Sequence, residues 1–132
     1  MALRALLLLA VWRAVVLSLP FRFWSGRLGV LGGPAAPDAS DPVAVQRVAR
    51  VVNGLADRVP WNANCLNRAL AAASLLKREG VPHTLSLGVR RHPSEEGLEA
   101  HAWLRVGEMF VTGEAEQHTF QILSSYSWSQ DT

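Results

Sequence analysis

From Leu98 to Val106 the chain changes character at nearly every step, and this period of two constrains the fold more than any other feature. It predicts a strand with His101, Trp103 and Arg105 on one face and Ala102, Leu104 and Val106 on the other. Gly107-Glu108 follows, and a second apolar run opens at Met109. Two residues between such runs, glycine first, fit a type II′ hairpin turn. If Val106 faces Met109, constant pair sums place Trp103 opposite Thr112 and His101 opposite Glu114. Cross-strand partners lie within side-chain reach, so a carboxylate is expected to hold an imidazole across this hairpin. A slip of one residue would turn Glu114 to the other face, and a diagonal contact would then bring in Thr112.

Helical signals lie upstream. Asp41-Pro42 reads as N-cap and first residue of a helix running to about Arg58, with Val48, Val51, Val52, Leu55 and Val59 as its apolar stripe. In Pro60-Trp61-Asn62-Ala63-Asn64-Cys65, proline ends one segment and Asn62 is positioned to cap the next, which puts Cys65 in a first turn. Leu66, Ala69, Leu70, Ala73 and Leu76 then keep helical spacing as far as Glu79, and Gly80 suits a C-cap. Further strands are expected near residues 84–91, 109–113 and 119–123. At 132 residues and 49% hydrophobic, the chain suits one domain. The expected class is α+β, with helices in front and a small antiparallel sheet packed on the helix that bears Cys65. Residues 1–30 read as an apolar helical segment, 31–41 as a linker, 42–123 as the core and 124–132 as a polar tail whose Tyr126 and Trp128 can dock.

Cys65 is the only cysteine, so it forms no intramolecular disulfide, and its value lies in packing or in chemistry. A free thiol titrates near ~8.5, and first-turn amides or a nearby cation favour the thiolate. Arg68, one turn on, adds to this if its side chain folds back. His101 has its direction fixed by a strand, whereas His83, His92 and His118 read as surface residues. One cysteine and scattered histidines give no metal-ligand spacing, and no cofactor motif is present. Net charge is only +2, with Arg4, Arg13, Arg22 and Arg27 preceding the first acid, Asp38, and seven acids against Arg105 alone from residue 92 onward. Nucleic-acid binding finds little support in this pattern. Ala5 to Val11 resembles a signal-peptide core, but Arg13 interrupts the run and no small-residue cleavage site follows. Arg13 also falls mid-way through any span of the ~20 apolar residues a membrane requires. A cytoplasmic protein is expected, with peripheral membrane contact left open.

A cysteine at a helix start, a histidine on a later strand and an acid on the next is the arrangement of transglutaminase-like and papain-like cysteine enzymes. More narrowly, residues 60–123 resemble the B protein of lasso-peptide biosynthesis, the small peptidase that removes the leader from the precursor. The resemblance is carried by Pro60-Trp61, Asn64-Cys65-Leu66 with Arg68-Ala69, Leu75 to Val81, Leu87-Gly88-Val89 and Ala100-His101-Ala102-Trp103-Leu104. The segment closing in Leu19-Pro20-Phe21-Arg22 is similar too. The resemblance implies a transglutaminase-like cysteine protease with Cys65 as nucleophile, His101 as base and no cofactor. Its third member is usually an aspartate after the histidine, and none lies between His101 and Asp131. Glu114 or Thr112 then stands in, or a dyad acts alone. The Cys65 amide with Trp61, Asn62 or Asn64 would supply oxyanion donors or substrate contacts. The implied partners are the precursor peptide, a separate small leader-recognition protein and an ATP-dependent lasso cyclase. An acyltransferase using the same residues, or an inactive peptide-binding module, are the alternatives.

Overall fold

The computed structural model describes residues 1–59, 64–91, 97–114 and 117–130. Its helices are α1 (Ala2–Ser18), α2 (Phe21–Trp24), α3 (Pro42–Ala56) and α4 (Cys65–Arg78). Its strands are β1 (Val30–Leu31), β2 (His83–Arg91), β3 (Leu98–Val106), β4 (Met109–Thr112) and β5 (Gln121–Trp128). They form one antiparallel sheet in the order β1-β5-β2-β3-β4. The architecture is α+β, as the two periods predict.

Local chemistry accounts for the helix ends. Asp41 caps α3, its Oδ1 accepting from the Ala44 N–H at 3.2 Å, and Pro42 takes the first turn where its missing N–H is harmless. Val45, Val48, Val52 and Ala56 are the buried side of that helix, with Val51, Leu55 and Val59 half-buried beside them. The cap of α4 is Asn64, whose Oδ1 accepts from the Asn67 N–H at 2.9 Å. Asn62, the expected cap, lies outside the described residues, as do Pro60 and Trp61.

Helix α4 is more central than a single apolar stripe suggests. Residues Ala69 to Ala73, Leu75 and Leu76 are all buried, because α1 and α3 pack on one side of the helix and β2, β3 and β4 on the other. A helix covered on two sides must be apolar most of the way round, and the small Ala71-Ala72-Ala73 run lets its neighbours approach. Two polar bonds fasten α1 to it: Trp12 Nε1 donates to Ser74 Oγ at 2.8 Å, and Asn67 Nδ2 donates to the Leu9 carbonyl at 3.0 Å. Full burial of Leu70 and Leu76 is worth about 1.5–3 kcal/mol each.

Three segments differ from expectation. Residues Val30–Leu31, at the margin between apolar segment and linker, form a strand against Ser127 and Tyr126. The linker proper is tied to the sheet, since the Ala36 N–H donates to Thr84 Oγ1 at 2.9 Å. Residues 124–128 are no tail; they continue β5, which lies between β1 and β2. Tyr126 faces the core, and hydroxyl pairs Thr84–Ser127 (3.1 Å) and Ser86–Ser125 (3.0 Å) satisfy the opposite face.

Candidate active site

Cys65 is the first residue of α4 and is half-buried against the core. The first amides of a helix have no intrahelical acceptor, and their dipoles attract negative charge. Asn64 is exposed and its side-chain oxygen accepts the capping bond. Arg68 has a carboxylate partner. Its guanidinium pairs with the Asp57 carboxylate at the end of α3. Trp61 and Asn62, the other oxyanion candidates, lie outside the described residues.

His101 lies on β3 opposite Gly88. The alternation holds as predicted: Ala102, Leu104 and Val106 enter the helical core, while His101 and Trp103 belong to the opposite face. The ring is half-buried, 4.8 Å from the Phe120 ring and 5.7 Å from that of Trp103, centroid to centroid. Its Nε2 lies 2.8 Å from the Gly113 carbonyl. A carbonyl only accepts, so Nε2 carries the proton and Nδ1 of the neutral ring is left as the acceptor.

The third residue is where the sequence reading fails. The turn is as expected, with Val106 opposite Met109 and Gly107 at φ +58°. Arg105 then faces Phe110, but Leu104 faces Thr112, so Val111 is an extra residue in a bulge. That slip takes Glu114 out of register with His101 and leaves its side chain exposed. Thr112 is buried, and among the described residues its Oγ1 has no hydrogen-bond partner, so it does not hold the imidazole either. The Gly113 carbonyl stands where the carboxylate was expected.

Other residues escaped the sequence reading. Phe120 closes one side of the imidazole and is itself covered by the Arg90 guanidinium, 4.4 Å from its centroid. Arg90 also bonds Glu99 Oε2 at 3.0 Å and Thr119 Oγ1 at 2.7 Å, which fastens the Gln117–Thr119 turn to the sheet. Opposite charges at Arg90 and Glu99, one on each of two expected strands, are the sequence signal for this clamp, and the β2–β3 register sets them face to face. His118 is exposed as expected, and His92 lies outside the described residues. His83 is a correction: it is 2% exposed, stacked 5.4 Å from Trp128, and its Nδ1 donates to the Val81 carbonyl at 3.0 Å. Among the described residues no group of three or more His, Cys, Asp or Glu side chains is placed to hold a metal ion.

The family model of the transglutaminase-like superfamily matches residues 6–125, nearly the whole chain. The chain belongs to the transglutaminase-like superfamily. Comparison with curated proteins and with solved structures found no match. The transglutaminase-like match takes in α1 as well as the sheet, so the apolar amino-terminal helix is part of the family domain. This superfamily includes cysteine proteases and acyltransferases.

Proposed function

We propose that this chain is a cysteine peptidase that removes the leader from a lasso-peptide precursor, with Cys65 as nucleophile and His101 as base. The observation that carries the reading is the bond from His101 Nε2 to the Gly113 carbonyl, which leaves Nδ1 able to take a proton. Strand β3, which carries that ring, packs against α4, whose first residue is Cys65. The resemblance of Asn64-Cys65-Leu66 and His101-Ala102-Trp103 to the B proteins supplies the substrate class.

The packed flank of α4 faces Ala102 and Leu104 rather than His101, so under this reading thiol and imidazole would meet at the open beginning of the helix. Nδ1 would take the thiol proton as sulfur attacks the carbonyl at the leader–core junction. The resulting imidazolium would protonate the departing amine, and water, deprotonated by the same ring, would hydrolyse the thioester. Imidazolium still donates Nε2–H to Gly113, so the orienting bond survives the whole cycle. The first-turn amide of Cys65 is the candidate donor to the oxyanion. A small leader-recognition protein would deliver the precursor, and an ATP-dependent cyclase would use the freed amine.

Incubation of the precursor and its recognition protein with wild type, Cys65→Ala and His101→Ala tests the assignment. Cleavage is expected from wild type alone, and alkylation of Cys65 at neutral pH should slow by about 10²-fold or more in His101→Ala. Cleavage by Cys65→Ala refutes the peptidase. The superfamily's acyltransferases favour one second reading, in which an amine replaces water; a new amide in the product would establish it.

A further inference from the structure

We infer that the outward face of α1 docks on an anionic lipid surface. Ala5 and Leu9 are buried against the rest of the protein, yet Leu3 is 70% and Leu17 72% exposed, and Leu7, Ala10, Val11 and Ala14 are exposed between them. At 3.6 residues per turn these six side chains occupy one arc of about 120°. Arg4 projects about 20° beyond one margin of the arc and Arg13 about 40° beyond the other. Arg4, exposed at one margin, can lay its methylene stem along that stripe and raise its guanidinium to the level of lipid phosphates.

The region just after the helix repeats the pattern. Leu19 and Phe23 are exposed, and the Arg22 guanidinium lies 5.0 Å from the Phe23 ring centroid. A groove of about 390 Å³ runs between α1 and α2, lined by Val11, Trp12, Val15, Leu19, Phe23 and Arg27, with an apolar floor for an acyl chain and a cation beside it. No aspartate or glutamate occurs before Asp38, so nothing in this stretch repels an anionic headgroup. That charge pattern selects a lipid surface over a protein partner, whose contacts would need no such uniform sign. The helix has 17 residues, and among the described residues no helix is long and apolar enough to cross a membrane, so α1 would lie in the interface plane. This inference does not depend on the peptidase reading.

Co-sedimentation of the full chain with vesicles decides it. Vesicles of phosphatidylcholine mixed with phosphatidylglycerol should bind at least about tenfold more protein than phosphatidylcholine alone, and added salt should erode the difference. Leu7→Glu combined with Leu17→Glu should abolish binding while far-ultraviolet circular dichroism stays unchanged, since both side chains are exposed. Ala14→Glu is the second variant should that pair fail to fold. Arg4→Gln with Arg22→Gln should lower the anionic preference. Failure to sediment with either vesicle, equal binding to both, or wild-type binding by folded glutamate variants overturns the inference. So does a lipid-free dimer that the glutamate variants dissociate, which would assign the face to a second copy of the chain.

Discussion

Gly113 ties the β3–β4 hairpin to the candidate base through its carbonyl, and its lack of a side chain is the reason it can. Its φ is +77°, where L residues are strained, and a Cβ there would press on the Ala102 carbonyl and come within 2.8 Å of Trp103 Cβ. Gly113→Ala should therefore cost about 1–3 kcal/mol of stability and move the carbonyl away from His101. Under the peptidase reading it should also slow Cys65 alkylation and shift the pH dependence of that rate. Glu114→Ala, at an exposed side chain out of register, should leave alkylation within about twofold of wild type. A large loss in Glu114→Ala would restore the carboxylate to the site. Asn64 tests the other half. Asn64→Ala should lower stability by about 1 kcal/mol in urea unfolding, while Asn64→Asp, which keeps the acceptor for the Asn67 N–H, should not.

Among the elements, α4 determines how the layers meet, and its attachment to α1 is open to measurement. Trp12 and Ser74 share one bond, and Ser74 passes on a second to the Leu70 carbonyl at 3.0 Å. A double-mutant cycle with Trp12→Phe and Ser74→Ala should give a coupling of about 0.5–1.5 kcal/mol, as for a partly buried neutral hydrogen bond. Zero coupling would show that the helices are joined by apolar packing alone. Elements with a strong period were legible before any coordinates: α3, α4 and the β3–β4 hairpin follow directly from their apolar spacing and turn residues. The third site residue was not, because a one-residue bulge inside Met109-Phe110-Val111-Thr112 changes no composition and no period within so short a run. The end of β5 was illegible for another reason. Ser124, Ser125 and Ser127 read as solvent-facing, yet in the sheet Ser125 and Ser127 pair with hydroxyls of β2, which satisfies them without water. A two-residue strand such as β1 leaves no pattern at all.

At the scale of the molecule, His83 couples stability to pH. It is buried at the start of β2 between Trp128 and the Val81 carbonyl, and burial pushes its pKa down; the bond to Val81 opposes this and the Lys77 ammonium adds to it. A histidine whose folded pKa lies below its unfolded value binds fewer protons in the native state than in the unfolded chain. Stability is then whole above the unfolded value of about 6.5 and erodes as pH falls from there toward the folded value. The same charge change strikes a structural joint, since Trp128 closes β5 beside β2 and carries the Lys77 ammonium 5.7 Å from its ring centroid. An imidazolium stacked on that ring would be repelled by the Lys77 ammonium that also contacts it. The thermal midpoint of the wild type should fall between about pH 7.5 and about pH 5, and His83→Phe should flatten that dependence even if it lowers the midpoint at every pH. An equally steep fall in the variant would show that another group, not His83, loses its place as the medium turns acid.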